Sequence, residues 1–252
     1  MPEPLTPADL GLVASVGGFF PLRTDGAATE GGTFAALYAG RREPLVFRVG
    51  KVASAIGAQE PRIAVSIAQL GLAARLWSIA LGSAALHGRI PDLDPARLHW
   101  DPDASAPDDL ALAGTHCAGA DAVRPGVASR PATHLAATVL DQHLAPLATA
   151  VRAEFRISEG LLWGNAGSAL AGAARELHRW AHRTGHPQAA DRTRALTGAL
   201  FEDPRLSGTG TFTGAAFRRS SCCLYYRIPG GGVCGDCCFR TPPGPSATRR
   251  SG

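Results

Sequence analysis

The chain has 252 residues, 45% of them hydrophobic and 18% charged, with a formal net charge of +4 from 25 basic and 21 acidic residues. That content is too apolar for an intrinsically disordered chain, and the length suits one large or two small domains with a sizeable core. The charge is too mild to mark a nucleic-acid binder, and the near-absence of lysine (Lys51 alone) reads as a GC-rich coding bias rather than as chemistry.

The first ten residues, MPEPLTPADL, have neither a positive n-region nor an apolar h-region, so no signal peptide is predicted. The expected compartment is the cytosol, where clustered cysteines more often mean metal than disulfide. Thr6 is a plausible N-cap for a helix through PADLGLVASV, with Pro7 at its first position. Residues 31–49 break the helical period and are predicted to form one or two short strands around a turn. A long apolar helix opens at Pro61 and closes at His87-Gly88. Its stretch Ile63–Leu86 is long enough to span a bilayer. Arg75 at its middle costs about 2.5–3.5 kcal/mol on insertion scales, and Ser66, Gln69, Ser78 and Ser83 add to that. A buried core helix is expected, with no transmembrane segment.

Ile90–Trp100, with two prolines, reads as extended, and 101–131 as loop with one apolar run at Leu110–Ala113. Helical character returns at Thr133, with Leu135, Val139, Leu140, Leu144, Leu147 and Val151 on one stripe, and Pro146 should kink or split this helix. The next helix is predicted from Ser158 as N-cap to about Arg183, before Gly185 and Pro187. Gly164, Gly167 and Gly172 within it each cost about 1 kcal/mol against alanine, which suggests close approach by another helix or a ligand. Trp163 and Asn165 beside them could line a pocket, although helix packing explains the same glycines. A last helix covers about Ala189–Phe201. After Pro204 the chain is Gly/Thr-rich, and from Thr241 it reads as a disordered tail. The fold class expected is mainly α with a minor β component (α+β).

Five of the six cysteines fall between Cys222 and Cys238. The order is Arg218-Arg219-Ser220-Ser221-Cys222-Cys223, ten residues, then Cys234-Gly235-Asp236-Cys237-Cys238. Soft thiolates favour zinc, iron or an iron–sulfur cluster. The Cys234-x-x-Cys237 turn discriminates little, but the adjacent pair does more. Neighbouring side chains in an extended chain point to opposite faces, so Cys222 and Cys223 fit one tetrahedral ion poorly. Two metals bridged by sulfides offer more freedom, and Pro229-Gly230-Gly231-Gly232 supplies the tight return. The pattern favours [2Fe–2S] over zinc.

The segment RRSSCCLYYRIPGGGVCGDC, with its Cys-Cys-x10-Cys-x2-Cys spacing, resembles the ferric siderophore reductases of the FhuF type. AQLGLAARLWSIALGSAALHG (68–88) and LLWGNAGSALAGAAREL (161–177) are similar to that family's helical part. The resemblance implies a helical siderophore-binding body (1–207), a small cluster-binding element (208–240) and a tail (241–252). It implies that Cys222, Cys223, Cys234 and Cys237 ligate a [2Fe–2S] cluster and are the catalytic set, passing one electron to iron(III) in a siderophore, with the hydroxamate type one candidate. Cys238 departs from the pattern and competes with Cys237, which the motif spacing favours. Arg218, Arg219 and Arg227 either stabilise the reduced cluster, dock an acidic donor, or are ordinary surface arginines. Tyr225 and Tyr226 either shield the cluster, stack on a siderophore or, as favoured here, pack the element onto the body.

Other signals fall away. His178, His182 and His186 recur every four residues, but Gly185 and Pro187 end the helix, and a solvated face is expected. Gly208-x-Gly210 lacks the third glycine of a dinucleotide fingerprint and follows no strand, so electrons are expected from an external donor such as a ferredoxin or reductase. Cys117, alone in a loop, reads as incidental. No nucleic-acid partner is expected, and peripheral membrane association stays open. The rival readings are structural zinc on the same four cysteines and an iron–sulfur redox sensor, for which no basic helix-turn-helix is found.

Overall fold

The structure, a computed structural model, describes residues 5–24, 32–112 and 131–243. Thr6 caps α1 (Pro7–Ala14) through a reciprocal box: its Oγ1 accepts from Asp9 N at 3.2 Å, and Asp9 Oδ2 accepts from Thr6 N at 2.9 Å. The strands expected at 31–49 are instead two helices, α2 (Phe34–Tyr38) and α3 (Glu43–Ile56). Thr33 caps α2 by accepting from Ala36 N. Pro44 sits in the first turn of α3, where its missing N–H costs nothing, and Gly57 ends that helix in the left-handed region (φ 62°). The proline that looks like strand punctuation is therefore a helix start.

Helix α4 (Pro61–His87) is buried around most of its circumference and ends at Gly88 (φ 68°). By length and composition it could cross a membrane, but 78% of its most apolar window lies inside the protein. Arg75 shows how the charge is accommodated. Its Nε donates to Asp109 Oδ1 at 2.7 Å, Nη1 to the Phe19 carbonyl, and Nη2 to the carbonyls of Pro21 (2.7 Å) and Pro107 (3.0 Å). Strands β1 (Leu98–Trp100) and β2 (Leu110–Leu112) pair antiparallel, with Trp100 opposite Leu110.

The helix expected from Thr133 is split, as Pro146 demands. It comprises α5 (Pro131–Leu135), a π-helical stretch (Ala136–Leu144) and α6 (Ala145–Glu154), with Pro146 in the first turn of α6. Its predicted apolar stripe is buried throughout. Helix α7 (Glu159–Thr184) packs along α4, and α8 (Pro187–Leu200) lies against both. A short turn, α9 (Pro204–Ser207), leads into an antiparallel hairpin of β3 (Gly210–Thr213) and β4 (Ala216–Arg219), where the sequence suggested only a Gly/Thr-rich connection. The fold is mainly α with minor β. Cys117, the remainder of the expected loop (113–130) and the tail beyond 243 lie outside the described residues.

Candidate metal centre

Strand β4 alternates: Phe217 and Arg219 point inward, Ala216 and Arg218 outward. Its end is tied down by Arg219 N donating to Asp236 O at 2.9 Å and Ser220 N donating to Thr209 O at 2.8 Å. The glycines of α7 make room for this element. A Cβ on Gly164 would lie 2.0 Å from Ser221 Oγ and 3.0 Å from Arg219 Nη2, and one on Gly167 would lie 2.2 Å from Thr209 Oγ1. The close approach expected from these glycines is real, and the visitor is the cysteine-bearing element rather than a helix or ligand.

Past Cys223 the chain reverses sharply. Leu224 takes a left-handed backbone (φ 69°), which lets its N–H donate to Cys222 Sγ at 3.2 Å. A 3₁₀ turn, Tyr225–Arg227, follows, and Gly231 N donates to Ile228 O at 2.9 Å. Gly231 needs its bare Cα, because a Cβ would stand 2.6 Å from Tyr225 O. Cys237 N then closes the second turn on Cys234 O at 3.1 Å, and Phe239 N donates to Cys237 Sγ at 3.4 Å. These N–H···S contacts are those expected around thiolate ligands.

The sulfurs lie close enough to act on one another: beside Cys234 and the Arg219 charge the Cys223 thiol is pulled down, while Cys234 itself is held protonated. Cys222 faces Cys238 and Cys237, and burial pushes it up to about 11. Among the described residues, no three Cys, His, Asp or Glu side chains converge to hold a single ion. Five cysteine sulfurs in one short element beside a buried cation are soft, anionic donors of the kind that hold an iron–sulfur cluster.

Several residues that matter here carry no motif. Ser66 Oγ donates to the carbonyl of Cys223 at 2.8 Å. Asn165, fully buried, donates to Ser66 O and Gln69 Oε1, both at 2.9 Å, and accepts from Arg219 Nη2 at 2.8 Å. Asn165 is thus an internal tie with no exposed surface. Trp163 is half-buried, near Glu159 and under the Arg205 guanidinium. Asp236, inside the Cys234-x-x-Cys237 turn, accepts from Ser168 Oγ at 2.6 Å and Arg175 Nη1 at 3.0 Å. Alternation with Phe217 was the one available signal that Arg219 is buried.

A groove of about 440 Å³ between α4 and α7 reaches this site, with Phe19, Leu70, Gly71, Gly172, Arg219 and Cys234 in its walls. Elsewhere on the element, Tyr225, Val233 and Phe239 are exposed. Tyr226, half-buried, stacks edge-on against Phe239 at 5.6 Å, and the turn that carries both tyrosines lies against α4. Arg218 donates to Cys238 O at 2.7 Å and Arg227 pairs with Glu60 at 2.7 Å, whereas Arg219 is no surface arginine. His178 and His182 meet at 3.2 Å near the surface, and His186 leaves the helix to stack on Trp180.

Residues 73–213 match the family described as ferric iron reductase FhuF-like transporter, and residues 219–239, which include all five clustered cysteines, match the FhuF 2Fe-2S C-terminal domain. No curated protein matches the chain.

Proposed function

The chain belongs to the FhuF-like ferric iron reductase family, with the C-terminal domain that carries a [2Fe–2S] cluster, and on that premise we propose that it reduces siderophore-bound iron(III) to iron(II). Cys222, Cys223, Cys234 and Cys237 are the residues that would hold the cluster. A [2Fe–2S] cluster bound there supplies one electron at a time, at a potential set by the charge and hydrogen bonds around its sulfurs.

The observation that carries this reading is that Cys234 forms part of the groove wall. A ligand in the groove lies against a cluster-binding residue without entering the core. Phe19 and Leu70 offer apolar surface to a siderophore scaffold, and Gly71 and Gly172 allow close approach to the α4 and α7 backbones. One electron converts iron(III) to iron(II), which hard oxygen donors hold far more weakly, so reduction and release follow from the same step. In this reading the body, 1–207, binds the siderophore and 208–240 carries the cluster, in the cytoplasm.

The electron comes from outside, from a ferredoxin or a reductase. The element exposes Tyr225, Val233 and Phe239 together with Arg218 and Arg240, apolar and basic surface that suits an acidic donor protein. The test is to purify the protein anaerobically, measure iron, acid-labile sulfide and zinc, and supply reductant with a ferric hydroxamate. Matching iron and sulfide with continuous iron(II) production supports the proposal. Stoichiometric zinc without sulfide overturns it.

A further inference from the structure

We propose that Arg219 is the built-in counter-cation of the centre, its buried charge raising the reduction potential of a cluster held there. The proposal rests on the reading of the four cysteines as cluster ligands.

Among the described residues two arginines are 1% exposed, and they are treated very differently. Arg75 has a carboxylate, Asp109, and three backbone carbonyls around its fork. Arg219 has a single neutral partner, the amide oxygen of Asn165, and its Nε and Nη1 are buried without any hydrogen-bond partner. A buried guanidinium with no counter-ion and two idle donors is costly and persists only where something anionic completes it. Asp236 does not do so: its carboxylate is taken by Ser168 and Arg175, and Arg219 uses only its backbone oxygen. The other acid of the groove wall, Glu176, is exposed and paired with Arg179, which leaves the cysteine sulfurs. Arg219 shares the groove wall with Cys234.

The placement is enforced from three directions. Alternation along β4 sends Arg219 inward while Arg218 goes out. Gly164 leaves room for the guanidinium, since a Cβ there would crowd Nη2 at 3.0 Å. Asn165 cannot turn its amide around, because its Nδ2 is committed to Ser66 O and Gln69 Oε1, so its oxygen must face Arg219. A cluster held by four thiolates is anionic and gains a further negative charge on reduction, so a fixed cation beside it stabilises the reduced form more.

The experiment compares wild type, Arg219→Gln, Arg219→Lys and the exposed control Arg218→Gln as full-length, cluster-loaded proteins. The readouts are iron and sulfide content, visible and EPR spectra, and reduction potential by spectroelectrochemistry. Arg219→Gln should shift the potential negative, Arg219→Lys should fall between it and wild type, and Arg218→Gln should stay at the wild-type value. A fully loaded Arg219→Gln with wild-type potential overturns the proposal. The cluster-free proteins give a reading that does not depend on loading. Apo Arg219→Gln should melt above apo wild type, because an uncompensated buried charge is gone, and a lower midpoint overturns the counter-cation role. A wild-type protein holding zinc and no sulfide would instead retire the cluster reading itself.

Discussion

Ser66 Oγ donates to the backbone carbonyl of Cys223 at 2.8 Å, joining residues 157 positions apart. The same hydroxyl lies 3.2 Å from Asn165 Nδ2, which also reaches the Ser66 carbonyl. A polar tie at the interface of α4 and α7 thus fixes the backbone of a proposed cluster ligand. Rigid placement of a ligand sulfur limits reorganisation when charge arrives.

Asn165→Leu should therefore weaken both the body and the centre. The substitution strands Ser66 O, Gln69 Oε1 and Arg219 Nη2 together. Breaking such a buried network should cost about 3 kcal/mol. Denaturant unfolding followed by far-UV circular dichroism and by visible absorption should show both midpoints falling. Ser66→Ala, which removes one neutral donor, should cost about 1 kcal/mol.

The groove can be filled without touching the sulfurs. A Cβ on Gly71 meets nothing within 4 Å, so Gly71→Trp fits the helix and projects into the groove. Reoxidation of the reduced protein by a ferric hydroxamate should slow by about tenfold, equivalent to about 1.4 kcal/mol. Iron content, sulfide content and potential should be unchanged. An unaltered reoxidation rate would place the substrate elsewhere.

Cys237 and Cys238 are separable by spectrum. Both sulfurs face Cys222, and only Cys237 accepts a hydrogen bond from the Phe239 N–H. Cys237→Ser should abolish the native visible spectrum and Cys238→Ser should leave it nearly intact. The reverse result would reassign the fourth ligand to Cys238.

His143 should make the body acid-sensitive. It is buried in the π-helical stretch, with Tyr38 Oη donating to its Nδ1 at 3.0 Å and its Nε2–H donating to Leu93 O at 2.6 Å. Burial holds its pKa at about 4, below the ordinary 6.5. Between those values the unfolded chain takes up a proton that the folded chain refuses, so stability is full above pH 6.5 and declines as pH falls toward 4. The total loss is about 3 kcal/mol at roughly 1.4 kcal/mol per pH unit. Denaturation midpoints between pH 7 and pH 5 should fall for wild type and change less for His143→Gln.

The helices with strong ends were legible in sequence: Thr6, Pro61, Gly88, Ser158 and Gly185 all mark helix boundaries. Residues 31–49 misled because Gly, Pro and charged residues break the helical period, although Leu45 and Val49 already sit one helical turn apart on the buried face. The hairpin escaped notice because its strands are four residues each and lean on Phe201, which packs against Phe212 and Phe217. The cysteine spacing pointed to the cofactor, yet the difference between Arg218 and Arg219 depends on which face of β4 meets Gly164. Alternation with Phe217 carries a local signal of it, and long-range packing of β4 on α7 decides it.

The most direct test of the central claim is a single turnover. Protein reduced anaerobically, freed of excess reductant and mixed with a ferric hydroxamate should recover its oxidised visible spectrum. It should also yield one iron(II), trapped by a ferrous-specific chelator, for each cluster reoxidised. A reduced spectrum that persists with no iron(II) captured would contradict the account.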